Sequence, residues 1–355
     1  MTKLEGLIQA NAYKFIYKDQ VIVSNNQERT SCSIPKSARI LVAGHKGMVG
    51  SAIVRKLQAA GYTNLLLHTS AEVDLRNQAA VAGLFSIEKP EYVFLAAARV
   101  GGIIANITRK AEFIYDNIQI QTNVIHQAWR VGVKRLLFLG STCIYPKFAP
   151  QPMKEEYLLT SPLEPTNDSY AIAKIAGIYM CRSYNQQYGT KFLAAMPNNL
   201  YGPNDNFDLN SSHVLPALIR KFHEAKEAHV SSVWVWGTGI PLREFMHVDD
   251  FAAASVFLMN LLEDDFTALI KYDASPAIIN VGSGQEISIA DLALMVKRIV
   301  SFNGDIFFDS SKPDGTPRKL ADSSRIHALG WRHRIDLEEG IKDAYYWYRE
   351  QGRHS

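Results

Sequence analysis

A tyrosine and a lysine stand four residues apart at Tyr170 and Lys174, in the segment Tyr-Ala-Ile-Ala-Lys. On a helix this spacing places both side chains on one face, one turn apart. A tyrosine with its ordinary pKa of about 10 is a poor acid or base at neutral pH, and we expect the neighbouring ammonium group to lower that pKa. Ser141 follows an apolar segment and could bind a substrate oxygen. The three residues predict acid–base catalysis at that oxygen.

A glycine-rich turn predicts a dinucleotide site. It lies between an apolar strand that begins at Arg39 and an amphipathic helix. Glycines at this place let the backbone approach a pyrophosphate, and the N–H groups at the helix N-terminus face the phosphates. We expect cofactor contacts from Gly44, His45, Lys46, Gly47, Met48, Val49 and Gly50.

The end of the second predicted strand favours NADP(H) over NAD(H). An acidic residue there would bind the ribose 2′-hydroxyl and repel a 2′-phosphate. The sequence instead reads His-Thr-Ser up to Ser70, with no acid before Glu72, and Lys46 adds a positive charge nearby. Asp74, followed by Leu75, is a candidate for binding the adenine ring.

The elements that position these motifs alternate between strand and helix. Apolar strands are predicted at 39–43, 65–67, 92–96, 136–139 and 192–196, and helices at 48–60, 109–129 and 169–188. Strands that are apolar throughout are buried on both faces, so the pattern predicts an α/β fold with a Rossmann-type, doubly wound parallel sheet.

The alternation becomes looser after residue 197, where short strands (233–236, 277–281, 306–308) mix with helices (215–228, 250–262, 290–300, 338–350). We expect an N-terminal extension at 1–37, a cofactor-binding domain at 38–197 and a smaller α/β substrate-binding lobe at 198–355. Some segments of that lobe should return to the main sheet.

The composition argues against several classes of protein. A net charge of +3 gives no general attraction to nucleic acid or to an anionic membrane, and no apolar run is long enough to span a bilayer. The cysteines at Cys32, Cys143 and Cys181 are too few and too scattered for a disulfide framework or a zinc site, so no metal is expected. We expect a cytoplasmic protein.

From Arg39 to the C-terminus the sequence resembles the extended short-chain dehydrogenase/reductase family. It is most similar to members that act on GDP-linked 4-keto-6-deoxy sugars. The stretches that carry the resemblance are 44–50, 96–103, 139–147, 163–167, 170–177, 199–203, 243–250 and 312–319. One departure is Thr142, where the family usually has serine. Another is Ser70, where some members have an arginine for the 2′-phosphate.

The resemblance implies roles for individual residues. Ser141, Tyr170 and Lys174 would form a reductase triad, and Cys143 and His213 would act as base and acid in epimerisation. Further cofactor contacts are implied for Leu139, Ser141, Lys174, Pro197, Asn199, Leu200 and His213. The nucleotide-sugar pocket would be lined by Lys221, Trp236, Arg243, Asp314 and Lys319.

The activity that the resemblance implies is NADPH-dependent. It comprises epimerisation of a GDP-4-keto-6-deoxyhexose at C3 and C5, followed by reduction at C4. A 4-epimerase or a 4,6-dehydratase of the same family is the alternative, although a dehydratase would be expected to have acids where Thr142 and Cys143 stand. A non-enzymatic NADP-binding protein is a remote alternative, since it would be expected to lose Tyr170 or Lys174. The resemblance also implies a homodimer formed through the two long helices.

Overall fold

The computed structural model describes residues 34–271, 277–312 and 314–350. Most of the predicted N-terminal extension, including Cys32, lies outside these residues, as do 272–276, Pro313 and 351–355. None of the helices in the described ranges combines the length and the apolar character needed to cross a bilayer.

Short strands and longer helices alternate along the described chain. The strands are β1 (Ile40–Ala43), β2 (Leu65–Leu66), β3 (Tyr92–Leu95), β4 (Arg135–Leu139), β5 (Phe192–Pro197), β6 (Asn199–Tyr201), β7 (Ser232–Trp236), β8 (Leu242–His247), β9 (Ile278–Val281), β10 (Glu286–Ser288), β11 (Asp305–Asp309) and β12 (Arg318–Lys319). The helices are α1 (Met48–Ala59), α2 (Gln78–Glu88), α3 (Ile103–Thr108), α4 (Lys110–Arg130), α5 (Asp168–Tyr188), α6 (Val214–Glu227), α7 (Val248–Met259), α8 (Glu263–Ile270), α9 (Ile289–Val300), α10 (Ser324–Ala328) and α11 (Leu337–Glu350).

The main sheet has six strands in the order β2-β1-β3-β4-β5-β9, and every neighbouring pair is parallel. Helices α1 and α7 pack on one face, and α2, α4 and α5 pack on the other, so the central strands are buried on both sides. This confirms the predicted doubly wound α/β sheet. Because the strands are parallel, the loops after β1, β3, β4 and β5 gather at one edge.

Two smaller groups of strands follow the main sheet. Strand β8 pairs with β6, β10 and β12, and β7 pairs with β11. Helices α6, α9 and α11 share a separate apolar core with β7 and β11. The late strand β9 belongs to the main sheet, so the chain crosses between the two regions, and the boundary expected near residue 197 stays a prediction.

The turn after β1 is closed so tightly that only glycine fits at two positions. Gly44 has a φ of +87°, and a Cβ there would lie 2.6 Å from the backbone nitrogen of Ala97. A Cβ on Gly50 would collide with the carbonyl group of Gly44. These two contacts bring the start of α1 against the ends of β1 and β3.

We expect Gly50→Ala to lower the free energy of unfolding by about 1–3 kcal/mol, because the added methyl group must push the loop away from the helix. Gly83→Ala is the matched control. No atom lies within 4 Å of its added Cβ, and alanine in the middle of α2 should stabilise that helix by about 0.5–1 kcal/mol. Thermal unfolding of both variants measures the difference, and equal melting temperatures would contradict the packing described for Gly50.

Candidate active site

Ser141, Tyr170 and Lys174 meet beyond the end of β4. The Ser141 hydroxyl accepts a 3.3 Å hydrogen bond from the Cys143 N–H, which begins a single helical turn at 142–144. Tyr170 and Lys174 lie on α5, and the Lys174 Nζ donates a 2.7 Å hydrogen bond to the carbonyl oxygen of Leu139. The same Nζ is 5.8 Å from the centre of the Tyr170 ring. The strand end and the helix therefore hold the three side chains together.

The protonation of this pair differs from the sequence-based expectation. Burial raises the pKa of Tyr170, and the nearby Cys143 raises it further, while a hydrogen bond with Ser141 opposes the shift. Burial lowers the pKa of Lys174 to about 7. The pKa of Tyr170 therefore lies above its ordinary value, not below it as the sequence predicts, because burial outweighs the hydrogen bond with Ser141. Lys174 therefore exchanges its proton near neutral pH.

Cys143 is in contact with a cation brought from far along the chain. The Lys319 Nζ lies 3.3 Å from the Cys143 Sγ. Lys319 is in β12, where it pairs with Arg243 of β8. Burial acts to raise the pKa of the Cys143 thiol, but Lys319, the Ser141 hydroxyl and Arg243 together outweigh it, and the pKa lies below its ordinary value. A lowered thiol pKa favours the thiolate, which is the basic form of the side chain.

His213 lines the same cavity, at the residue before α6. Its ring does not cap the helix. Burial lowers the pKa of His213, and the positive charge of Lys319 lowers it further. The loop that carries it is fixed by a 2.8 Å hydrogen bond from the Gly102 N–H to the Ser211 carbonyl oxygen. The positive charge of Lys319 thus acts to lower the pKa of both His213 and Cys143.

Two cationic residues, Lys221 and Arg243, and the indole ring of Trp236 line another part of the site. Lys221 donates a 3.1 Å hydrogen bond to the Trp234 carbonyl oxygen and lies 5.3 Å from the centre of the Trp236 ring. Arg243 donates to the carbonyl oxygens of Leu242 and Asp314, at 2.8 and 3.3 Å. Burial lowers the pKa of Lys221 and that of Arg243.

The Asp314 carboxylate is hydrogen-bonded to Thr238. It accepts hydrogen bonds from the Thr238 N–H at 2.7 Å and from the Thr238 hydroxyl at 2.8 Å. The carboxylate therefore fixes the loop before β12 against the turn after β7, and the backbone carbonyl of Asp314 is the group that contacts Arg243.

A cavity of about 330 Å³ joins most of the predicted catalytic and substrate residues. The ones that line it are Ser141, Cys143, Tyr170, Asn199, Leu200, His213, Lys221, Trp236, Arg243, Asp314 and Lys319. Lys174 lies behind this wall with 3% of its surface exposed. The glycine loop, Ser70, Asp74, Leu75, Leu139 and Pro197 are not among the lining residues.

The glycine loop has the features that a dinucleotide requires. Helix α1 begins without a side-chain cap and has no acidic residue in its first turn, so its N–H groups are available to phosphates. At the end of β2 the Glu72 carboxylate accepts hydrogen bonds from the N–H and the hydroxyl of Thr69, at 2.7 and 2.8 Å. Asp74 is paired with Arg76 at 2.9 Å. Glu72 and Asp74, the acids that follow Ser70 in the chain, are thus engaged in local contacts. With the positive charge of Lys46 in the glycine loop and no acid at the end of β2, the residues present fit NADP(H).

Strand ends place the remaining predicted cofactor residues. Leu139 ends β4 and Pro197 ends β5, and the two strands are neighbours in the main sheet. Asn199 and Leu200 begin β6, where the Asn199 side chain donates a 2.8 Å hydrogen bond to the Glu244 carbonyl oxygen. Leu139 and Pro197 thus border the cofactor edge of the sheet, and Asn199 and Leu200 border the cavity.

Several lining residues were not predicted as site residues. Glu164 and Thr166 lie on the loop before α5, and Gly101 and Gly102 lie before α3. Glu164 is paired with Lys147 at 3.0 Å and accepts from Thr166. The signal was present, because 96–103 and 163–167 are among the stretches that carry the family resemblance.

The sequence profile of the NAD dependent epimerase/dehydratase family matches residues 40–282. The chain belongs to this family. Members with high similarity include GDP-L-fucose synthase 1 of Arabidopsis thaliana, which is 59% identical over 88% of this chain and 94% of its own length. The GDP-L-fucose synthase of Escherichia coli (strain K12) is 52% identical over 88% of this chain and 97% of its own length.

A solved structure of a family member contains a nicotinamide cofactor. The GDP-mannoheptose C4 reductase of Campylobacter jejuni, with NADP bound, superposes with a TM-score of 0.80. It is 46% identical, and the match covers 89% of this chain and 99% of that one.

We expect Lys319→Met to raise the pKa of the Cys143 thiol, because the variant removes the cation that stabilises the thiolate. The thiolate fraction at neutral pH should fall, and the inflection of the alkylation rate should move to higher pH. Iodoacetamide labelling, followed at the Cys143 peptide by mass spectrometry, measures this profile.

Lys226→Met is the matched control for this measurement. Lys226 lies at the other end of α6 and bonds the Val300 carbonyl oxygen at 2.9 Å, so its removal should leave the profile unchanged. An unchanged profile in Lys319→Met would refute the Lys319–Cys143 interaction.

Proposed function

We propose that the protein is a bifunctional, NADPH-dependent 3,5-epimerase/4-reductase that converts GDP-4-keto-6-deoxy-D-mannose to GDP-L-fucose. The observation that carries this proposal is the presence of two sets of groups in one cavity. Ser141 and Tyr170 form a reductase pair, and Cys143 with its Lys319 contact faces the same space as His213. The high identity to GDP-L-fucose synthases supports the substrate and the product.

The ketone at C4 makes both inversions possible. Hydrogens on C3 and C5 are acidic because each carbon is next to the carbonyl group, and removal of either leaves negative charge on the C4 oxygen. Tyr170 and Ser141 are the donors that stabilise this oxygen, as an oxyanion hole does. Cys143, with its lowered pKa, removes the proton, and His213 returns one to the opposite face.

Reduction uses the same donors. NADPH, when bound, supplies the hydride for C4. Tyr170 transfers its phenolic proton to the C4 oxygen. Lys174, whose pKa is about 7, lies one helical turn away and can resupply that proton.

The cationic end of the cavity suits the nucleotide. Arginine and lysine pair with diphosphate oxygens, and the fork geometry of arginine allows two parallel bonds. Arg243 and Lys221 are the candidate diphosphate ligands, and Trp236, which is 48% exposed, offers a ring face. The preference for guanine as the base is proposed because relatives with high identity are named GDP-L-fucose synthases.

The contacts of Thr142 and Cys143 argue against a 4,6-dehydratase. The Thr142 hydroxyl donates a 3.1 Å hydrogen bond to Asn198, and Thr142 is 3% exposed. Cys143 and Lys319 occupy the space where a dehydratase would need an acid. A C4 reductase without epimerase activity is the second candidate, since the Campylobacter jejuni relative carries that name.

We expect Cys143→Ser to slow epimerisation at least about hundredfold, since general bases contribute about 10²–10⁴-fold. Solvent deuterium should then no longer enter C3 and C5 of the sugar, which NMR of the product measures.

Tyr170→Phe should slow NADPH oxidation by a similar factor, followed at the nicotinamide absorbance band.

The control is Cys181→Ala, because Cys181 is a buried core residue of α5. It should retain deuterium entry and NADPH oxidation. NADPH oxidation by the wild type without deuterium entry would support the C4 reductase instead.

We further propose that the enzyme is a cytoplasmic homodimer. A catalytic thiol at Cys143 needs a compartment that keeps it reduced.

On α5, the exposed residues Ile172, Ala176 and Tyr179 recur at helical spacing, and Tyr115 is exposed on the neighbouring helix α4. Ile172 is 48%, Tyr179 37% and Tyr115 62% exposed, so the two longest helices present an apolar face.

We expect the double variant Ile172→Glu, Tyr179→Glu to dissociate the dimer, because two charges would have to be buried in its interface. Sedimentation equilibrium should give twice the chain mass for the wild type and a single chain mass for the variant. Tyr346→Glu is the control. Tyr346 is 65% exposed on α11, so this variant should remain a dimer. A monomeric wild type would disprove the homodimer.

A further inference from the structure

Glu244 is a fully buried carboxylate that the proposed chemistry does not use. It is 0% exposed and follows Arg243 in β8. Alternation along a strand turns its side chain away from the face that presents Arg243. Within the described residues, no ion pair involving Glu244 is found. Burial of a carboxylate costs free energy unless hydrogen bonds satisfy it. The groups that donate to Glu244 therefore identify the segments that it connects.

The carboxylate of Glu244 ties together three separate segments. One oxygen accepts a 2.9 Å hydrogen bond from the Ala321 N–H and another from the Asn198 side-chain amide. The other oxygen accepts from the Gly284 N–H at 2.7 Å and lies 3.5 Å from the Ser283 hydroxyl. The donors follow β12, β5 and β9, so one side chain joins the ends of three strands.

The first arm of this network reaches the catalytic turn through Asn198. The amide nitrogen of Asn198 donates to Glu244, which leaves its oxygen to accept the 3.1 Å bond from the Thr142 hydroxyl. Thr142 stands between Ser141 and Cys143 in the chain. The hydrogen bond from the Thr142 hydroxyl to Asn198 therefore fixes the backbone that carries the Ser141 and Cys143 side chains.

The second arm reaches Lys319. Ala321 is two residues beyond Lys319, and the Asn198 amide nitrogen lies 3.4 Å from the Lys319 carbonyl oxygen. Strand β12 is only two residues long, so it has few ladder hydrogen bonds of its own to fix Lys319. The carboxylate therefore anchors both sides of the 3.3 Å contact between Cys143 and Lys319.

We propose that Glu244, acting through Asn198 and Thr142, is a positioning residue that sets the distance between Cys143 and Lys319. Its catalytic consequence rests on the proposed epimerase function. The network makes the threonine hydroxyl the essential feature of position 142, and serine provides the same hydroxyl.

The decisive test compares Thr142→Val with Thr142→Ser. Valine keeps the shape of threonine but cannot donate to Asn198, whereas serine can. We expect Thr142→Val to move the alkylation profile of Cys143 to higher pH, as Lys319→Met does, and Thr142→Ser to retain the wild-type profile. In turnover, Thr142→Val should lower kcat for deuterium entry about ten- to a hundredfold with little change in KM.

Ser255→Ala is the control for the loss of a buried hydroxyl. Ser255 is 0% exposed, and its hydroxyl donates a 2.8 Å hydrogen bond to the Phe251 carbonyl oxygen within α7, so its removal should leave the Cys143 profile unchanged. Glu244→Gln should shift the profile like Thr142→Val, because one amide oxygen cannot accept from all the donors. If Glu244→Gln does not fold, the two Thr142 variants decide the question.

The alkylation experiment needs no substrate, so its outcome is independent of the proposed activity. A wild-type profile and wild-type kcat in Thr142→Val would overturn the positioning role. A shifted profile, together with a wild-type enzyme that leaves GDP-4-keto-6-deoxy-D-mannose unchanged, would retain the positioning role and reject the proposed function.

Discussion

The contact between the Lys319 ammonium and the Cys143 thiol is the interaction on which the site depends. It joins residues that are 176 positions apart, so it exists only because β12 lies beside β8 and both lie near the end of β4. Burial acts to raise the pKa of this thiol, and the cation acts in the opposite direction, so that the pKa lies below its ordinary value. The same cation lowers the pKa of His213. Lys319 therefore lowers the pKa of Cys143 and adds to the lowering that burial causes in His213.

Burial favours the neutral form in both halves of the catalytic apparatus, but it prevails in only one of them. In Tyr170 and Lys174 it favours the neutral forms, since both are enclosed by α5 and the end of β4. In Cys143 it is outweighed by positive charge. A protonated phenol beside an ionisable thiol is the combination that a keto sugar requires, because the phenol stabilises the oxygen while the thiolate takes the proton from carbon.

Much of the main sheet was predictable from periodicity. Apart from Arg135 at the start of β4, strands β1, β3, β4 and β5 carry no charged residue, and the structure places each within one or two residues of its predicted bounds. The elements that periodicity missed are β6, β8, β10 and β12, together with α2, α3, α8 and α10. β6, β10 and β12 have only two or three residues each and lack the apolar run that marks β2. β8 alternates incompletely because Glu244 and His247 are buried polar residues.

The sequence by itself determined which chemical groups are present and the order of the motifs, because the spacing of Tyr170 and Lys174 and the glycine turn are local features. It also placed the loops after β1 and β4 at one edge of a parallel sheet. The tertiary structure alone decided the pKa shifts, since that of Lys174 depends on burial and that of Cys143 on burial and on the distant Lys319 and Arg243. Glu244 illustrates the limit, because only the fold shows that its carboxylate is enclosed among the ends of three strands.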